Sequence, residues 1–427
     1  MTSGRGSRHV AIVAFGNFAA PLVALITAPL LAQGLGVAGR GELAAATAPL
    51  LLAATALTLG LPDAATHFTA RYHRFSIRPL WVSFAALTVV GLAGSATIAL
   101  LGPKLSGGDA ELRELIQLCG LALTPALWVG LLRGIARGQH KWWLISLEQY
   151  LTAGLKLVGI AALLAWDAMT PLTAALLLSG ALFVAGVIYI PIALSAASGD
   201  EHTIRSVVMF GVGVWPGALA GVVLARLDQT LILPLSSAAA LGVYAVAVSI
   251  ADAARAFNIA VRDVMFARQS SVADTKNLAL ASRISTIITL ALSASIVVVS
   301  YWLVPLLFGE GFAQVPTVIT ILLIGAVVGN PGSVVAAGLS ARGRPGLRSL
   351  AIGIGVVINL LTLLALVPQW GALGAAVAAS VANATTGWLV IWFAKRTFGI
   401  SPLTFIAITH RDLRALVTLA RDMLRRR

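Results

Sequence analysis

Residues 349–394 have the sequence SLAIGIGVVINLLTLLALVPQWGALGAAVAASVANATTGWLVIWFA, which contains no charged side chain. A helix crosses a bilayer core about 30 Å thick with roughly 20 apolar residues, so this run is too long for one crossing and long enough for two. Proline and glycine mark turns, and Pro368-Gln369-Trp370-Gly371 lies in the middle of the run. The stretch therefore predicts two membrane-spanning helices joined by a tight turn.

The rest of the chain has the same character. Of its 427 residues, 59% are hydrophobic and only 11% are charged, which is too little polar surface to cover a soluble globule. The apolar runs are continuous and rich in Leu and Ala, whereas the strands of a membrane barrel would alternate polar and apolar residues. The single cysteine, Cys119, excludes an internal disulfide. We predict an all-α, multi-pass protein of the cell membrane.

The same length rule, applied along the whole chain, predicts about 12 transmembrane helices. The predicted spans are residues 10–32, 43–66, 79–102, 114–132, 142–166, 171–195, 206–233, 240–261, 284–308, 314–340, 349–367 and 372–394. The first charge-free run, residues 10–39, is longer than the apolar region of a signal peptide, so we expect it to be an uncleaved span.

The distribution of positive charge predicts the orientation. Of the 30 Lys and Arg residues, 24 fall on one side of the predicted membrane, three on the other side and three within spans. Cytoplasmic loops are the ones that carry an excess of Lys and Arg, so both termini are predicted to be cytoplasmic. The formal net charge of +14 is then a consequence of topology, and nucleic acid is not expected as a partner.

Twelve spans divide into two groups of six. The sequence after span 4, residues 132–138, is similar to that after span 10, residues 338–343, and an offset of six spans preserves the orientation of each helix. We therefore predict an N-lobe at 1–195 with spans 1 to 6 and a C-lobe at 196–394 with spans 7 to 12. Residues 395–427 form a basic amphipathic cytoplasmic tail, which either lies on anionic lipid or only enforces the topology.

Ionisable side chains within the spans are the first functional candidates, because hydrocarbon tolerates them only beside a partner or in a wet cavity. They are Glu148 and Lys156 in span 5, Arg226 and Asp228 in span 7, Asp252 and Arg255 in span 8, and Asp63 near the inner end of span 2. At 100° per residue, Glu148 and Lys156 are about 80° apart and can face one side. Asp252 and Arg255 are neighbours on their helix and can pair.

These charges allow two interpretations. In one, Glu148, Asp63, Asp228 and Asp252 balance the basic residues in structural ion pairs. In the other, Lys156, Arg226 and Arg255 line a hydrated cavity that attracts an anionic group, and the acidic residues couple transport to protons or cations. Pro21 and Pro216, in the first span of each half, are predicted hinges because proline removes a helical hydrogen bond. The sequence contains no motif for catalysis, a cofactor or a metal site.

Several segments resemble Wzx-type polysaccharide flippases of the multidrug/oligosaccharidyl-lipid/polysaccharide (MOP) exporter superfamily. They are residues 29–43 (PLLAQGLGVAGRGEL), 59–64 (LGLPDA), 227–229 (LDQ), 241–244 (LGVY) and 358–376, which contains Val367-Pro368-Gln369-Trp370-Gly371. Span 1 of this chain carries no arginine, and the chain has twelve predicted spans where the lipid II flippases have fourteen. Both features distinguish it from those flippases, which it otherwise resembles.

The resemblance implies a two-lobed MATE-like fold and a lipid-linked oligosaccharide on undecaprenyl pyrophosphate as the cargo, flipped by alternating access. It also implies that Lys156, Arg226 and Arg255 face the pyrophosphate or acidic sugars, and that Asp228 matches the family's span 7 aspartate. Membrane lipids are expected partners, and a polysaccharide polymerase and glycosyltransferases are suggested ones.

Three alternatives remain open at the level of sequence. A MATE-like ion-coupled multidrug antiporter shares the predicted fold, although the buried basic residues argue against cationic cargo. A membrane-embedded polysaccharide polymerase or ligase would be expected to have a sizeable outer loop bearing Arg, His or acidic residues. A non-transporting scaffold would be expected to have a dry interface between its halves.

Overall fold

A computed structural model describes residues 3–72, 74–194, 203–271 and 274–407, and all regular structure in these ranges is helical. This confirms the all-α prediction. The α-helices are α1 (Ser3–Ala56), α2 (Leu61–Tyr72), α3 (Ile77–Leu105), α4 (Ala110–Leu121), α5 (Leu123–Gly138), α6 (Trp142–Ala165), α7 (Pro171–Gly186), α8 (Ile190–Leu194), α9 (Ile204–Leu235), α10 (Ala238–Ser271), α11 (Thr275–Phe308), α12 (Val315–Ala341), α13 (Pro345–Phe398) and α14 (Leu403–Ile406). Short 3-10 turns occupy Val187–Tyr189 and Glu310–Phe312.

Long apolar helices dominate the described ranges. Nine helical segments there are long and apolar enough to cross a bilayer, and up to ten if the bent pair Ile26–Ala56 and Leu61–Tyr72 counts as one span. The protein is therefore a multi-pass membrane protein. One of the nine, α13, has 54 residues, which is more than one crossing requires. The exact number of twelve spans and the cytoplasmic location of both termini remain predictions.

Two long helices break at glycines. Inside α13, Gly371 leaves the helical conformation with φ 51° and ψ −124°, which confirms the break predicted at Pro368-Gln369-Trp370-Gly371. Inside α1, Gly36 does so with φ 66°, between the first and second predicted spans. Positive φ is readily adopted by glycine because it lacks a Cβ atom. Each break therefore occurs where the sequence supplies a residue that tolerates it.

The second predicted span is not one continuous helix. Helix α1 ends at Ala56 and α2 begins at Leu61, with a bend of 43° between them. Gly60 has φ 68° and lies so close to α9 that an added Cβ would come within 2.2 Å of the Gly211 carbonyl oxygen. The indole N–H of Trp215, also on α9, donates to the carbonyl of Ala56. Contacts with a distant helix thus stabilise this break, and the helical length rule does not detect it.

The chain forms two compact units. The first comprises Met1–Ala245 with Leu307–Phe312, and the second comprises Val246–Leu306 with Ala313–Arg427. In the first unit α1 packs against α6 and α9, while α2 packs against α5 and α9. The division into lobes at residues 195 and 196 stays a prediction.

Close helix packing organises the second unit. Glycines let α12 approach α13: a Cβ on Gly332 would come within 2.1 Å of the Gly387 carbonyl oxygen, and Gly325 lies against Ser380. Small residues of this kind allow backbone contact in membrane helices. Near the end of the described chain, Phe405 of α14 is fully buried in a core of α11, α12 and α13 residues. The predicted basic helix beyond residue 407 lies outside the described residues.

Candidate functional site

Glu148 is neutralised by an arginine that the span prediction assigned to a loop. The Arg133 guanidinium on α5 donates to both Glu148 carboxylate oxygens on α6, with Nε–Oε2 at 2.9 Å and Nη2–Oε1 at 2.7 Å. The Tyr189 hydroxyl, in the turn before α8, donates to Oε2 at 3.1 Å. Two-pronged pairs of this kind are among the strongest hydrogen bonds in proteins. Glu148 is only 2% exposed, so this cluster joins three helical segments as a structural element.

Lys156 lies on the same helix as Glu148 but lacks such a partner. It is eight residues further along α6, which corresponds to about 12 Å along the helix axis. Its side chain is half-buried, and within the described ranges its ammonium group forms neither a hydrogen bond nor a salt bridge. The structure therefore pairs Glu148 with Arg133 and leaves the Lys156 ammonium group available to bind an anion.

On α9, the Asp228 carboxylate has hydrogen-bond partners and the Arg226 guanidinium has none in the described chain, as for Glu148 and Lys156 on α6. Asp228 is buried and accepts a hydrogen bond from the Tyr244 hydroxyl of α10, while its other oxygen accepts from the backbone N–H of Gln229 at 2.7 Å. Arg226 is half-buried, and its guanidinium has no hydrogen-bond or salt-bridge partner in the part of the chain that is described. These residues are about 200° apart around the helix, so Asp228 is not placed to neutralise Arg226.

Asp252 and Arg255 form the pair that their spacing on α10 allows. Arg255 Nη1 lies 3.4 Å from Asp252 Oδ1, and both side chains are partly exposed. An exposed pair at i and i+3 contributes only a few tenths of a kcal/mol. Arg255 can therefore exchange this carboxylate for another anion at little cost, and its role in binding cargo stays a prediction.

The remaining predicted residues have simpler environments. Asp63 is half-buried in the first turn of α2, where the helix dipole favours a negative charge. Pro216 lies inside α9, directly after Trp215. Pro21 belongs to the helical segment of α1 before Gly36, and its side chain is outside the described residues. The hinge roles of both prolines remain predictions.

Several buried side-chain polar atoms that the sequence did not single out have no hydrogen-bond partner in the described ranges, and those of Arg40 and Asn359 are two examples. The Nε atom of Arg40, in α1 just after the Gly36 break, is buried and unpaired within the described ranges. The same holds for both amide atoms of Asn359 in α13, which is 2% exposed. Arg40 was assigned to an outer loop by its position between two spans, and Asn359 lacks the charge that marked the other candidates.

Long apolar helices define the class of a multi-pass membrane protein, and solved structures share its fold. A multidrug resistance MATE family transporter of the MOP superfamily, facing inward, aligns with a TM-score of 0.68 and 16% identity over 89% of this chain and 98% of its own. The lipid II flippase MurJ, in an inward closed conformation, aligns with a TM-score of 0.73 and 12% identity over 90% of this chain and 87% of its own. These similarities establish the fold.

The sequence identifies the family. Residues 7–266, more than half of the chain, match the family model described as "Polysaccharide biosynthesis protein", so the chain belongs to this family. No curated protein sequence matches it. The chain thus belongs to a polysaccharide biosynthesis family and has the fold of the MATE transporter and of MurJ, and both findings agree with the resemblance to polysaccharide flippases.

Proposed function

We propose that this protein flips a lipid-linked oligosaccharide, carried on undecaprenyl pyrophosphate, from the inner to the outer leaflet by alternating access. One observation carries the proposal: Lys156 and Arg226 are half-buried cations inside helices of the first unit, without salt-bridge partners in the described chain. A charge in a membrane interior is costly, so two cations without such partners are best explained by an anionic ligand.

The two cations suit a phosphorylated headgroup for different reasons. The Lys156 ammonium is a compact charge on a flexible stem, which can follow a moving anion. The Arg226 guanidinium presents a planar fork that matches two phosphate oxygens. Arg255 belongs to the second unit and forms a partly exposed pair with Asp252, and we propose that it too contacts an anionic part of the cargo during transport.

The acidic residues divide by their environment. Glu148 and Asp228 are buried and held by strong donors, so in our proposal they maintain helix geometry. Asp252 and Asp63 are more exposed, so coupling to a proton or cation gradient is assigned to them. Bending at Pro21 and Pro216 supplies the helix movement that alternating access requires.

The test uses cells that lack the gene and produce single variants of the full chain. Lys156→Ala and Arg226→Ala should each lower surface polysaccharide at least about tenfold, since a lost charge-assisted contact costs roughly 1.5–3 kcal/mol. The lipid-linked oligosaccharide, identified by mass spectrometry, should accumulate on the cytosolic leaflet. Arg137→Ala is the matched control, because Arg137 is an exposed arginine at the end of α5.

The outcomes separate the alternatives. Normal export by both variants, at normal protein levels, would contradict the cargo role of these cations. Loss of folded protein would indicate a structural role. Cargo that reaches the outer leaflet but stays unpolymerised in deletion cells would instead favour a polymerase or ligase, and efflux of a cationic dye by the purified chain would favour an antiporter. Unchanged lipid distribution would favour a scaffold.

A further inference from the structure

An apolar groove lies in the first unit between α3 and α9. It has about 450 Å³ of empty space, including its open side, and none of its lining residues is charged. Its floor contains the buried residues Leu61 and Val207, while Val82 on α3 and Val212 on α9 form exposed edges. The groove is therefore partly open to the surroundings, and Ser83 is the one polar residue of an otherwise apolar lining, which suits a hydrocarbon chain.

One end of the groove is basic. The lining residue Pro79 follows Arg78 on α3, and the lining residue Ile204 precedes Arg205 on α9; both arginines are exposed. Trp81, also exposed, lies within one turn of Arg78. Tryptophan favours the headgroup level of a membrane, and Arg and Lys at that level attract anionic lipids. The groove thus begins beside two positive charges at the predicted inner surface.

The depth of the groove corresponds to one leaflet. From Ile204 to Val212 helix α9 advances about 12 Å, and from Pro79 to Ala86 α3 advances about 10 Å. Half of a hydrocarbon core is about 15 Å. At the far end lies Leu59, in the turn between α1 and α2, where Gly60 contacts Gly211. A groove of this depth accommodates a lipid of one leaflet and provides no path across the membrane.

We infer that this groove binds an anionic glycerophospholipid of the inner leaflet, with one acyl chain between α3 and α9 and its phosphate at Arg78 and Arg205. The site differs from the proposed cargo site, because Lys156 and Arg226 are not among its lining residues. Since the bound chain would contact the Leu59 turn and α9 together, the lipid would stabilise the contact between these elements.

Lipid binding can be measured on the purified full chain without any transport assay. The detergent-solubilised protein receives phosphatidylglycerol or phosphatidylcholine with identical acyl chains, and both the unfolding temperature and the lipid retained per chain are recorded. We expect preferential retention of phosphatidylglycerol, with each arginine contributing roughly a fivefold preference. Arg78→Ala/Arg205→Ala should abolish the preference, whereas Arg137→Ala should preserve it.

A second pair of variants tests the groove itself. Val208→Trp fills the space that the acyl chain would occupy and should lower retention of both lipids. Val89→Trp is its control, because Val89 is an exposed α3 residue outside the groove. Equal retention of both lipids by the wild type, or a preference unchanged in Arg78→Ala/Arg205→Ala, would overturn the inference. So would displacement of phosphatidylglycerol by undecaprenyl pyrophosphate, because the site would then belong to the cargo.

Discussion

Helix α6 carries two opposite charges in two different environments. Glu148 is buried and receives three hydrogen bonds from Arg133 and Tyr189. Lys156, about 12 Å further along the axis, has no hydrogen-bond or salt-bridge partner in the described chain. One helix thus holds both a paired charge and an unpaired one. The difference indicates that burial of a charge in a membrane helix does not by itself mark a binding site.

Whether a charged side chain has a hydrogen-bond or salt-bridge partner distinguishes a structural role from a binding role. A buried ion pair with complete hydrogen bonding fixes helices relative to one another, and removing one member leaves an uncompensated charge. A cation without a hydrogen-bond or salt-bridge partner does not fix helices in this way and is free to bind an anionic ligand. The same distinction separates Asp228, held by Tyr244, from Arg226 on α9. Four substitutions test this comparison, in order of expected effect on stability.

Glu148→Gln should have the largest effect. The neutral amide leaves the Arg133 charge unbalanced, which should cost roughly 3 kcal/mol of unfolding free energy. Thermal unfolding of the detergent-solubilised protein measures it as a lower Tm. The double variant Arg133→Met/Glu148→Leu should recover much of the loss, because apolar residues can replace a buried pair. A single variant as stable as the wild type would contradict the structural role of the cluster.

Tyr244→Phe should have an intermediate effect. It removes the hydroxyl that donates to the buried Asp228 carboxylate, and a hydrogen bond to a charged group contributes roughly 1.5–3 kcal/mol. The Tm should fall by less than in Glu148→Gln. The double variant Tyr244→Phe/Asp228→Asn serves as the control, since the second substitution should lower stability little further once the hydroxyl is gone. If the loss of the double variant equalled the sum of the losses of Tyr244→Phe and Asp228→Asn measured alone, the two side chains would act independently.

Asp252→Asn should have a small effect. Its pair with Arg255 is partly exposed and lies within one helix, so we expect a loss of at most about 0.5 kcal/mol. The Tm should stay near that of the wild type. A loss comparable with that of Glu148→Gln would show that the pair is as important to folding as the Arg133 cluster.

Lys156→Met should have the smallest effect on stability and a large one on export. Removing the Lys156 charge breaks no hydrogen bond or salt bridge of the described chain, so Tm should be unchanged or slightly higher. Surface polysaccharide should nevertheless fall, as for Lys156→Ala. Lys156→Arg is the control and should keep part of the export because it keeps the charge. A marked fall in Tm for Lys156→Met would mean that Lys156 has a structural partner.

Much of the fold could be predicted from the chain alone. Apolar length and turn residues predicted the long helices and the break at Gly371, because a bilayer demands both. The break between Ala56 and Leu61 escaped this reasoning, since it depends on Gly211 and Trp215, about 150 residues away along the chain. For the site, the sequence identified the charged residues within the spans but not their partners. Arg133 was assigned to a loop because it follows the apolar part of its span by one residue.

Amino-acid order by itself establishes a helical membrane protein, predicts its orientation from the Lys and Arg distribution, and identifies a short set of charged residues in its spans. These follow from local physics, because hydrocarbon excludes unsatisfied backbone and most charge. Only the tertiary structure assigns Arg133 to Glu148 and Tyr244 to Asp228, and leaves Lys156 and Arg226 unpaired within the described chain. Such pairings depend on which helices become neighbours, and helix packing brings together residues that are distant along the chain.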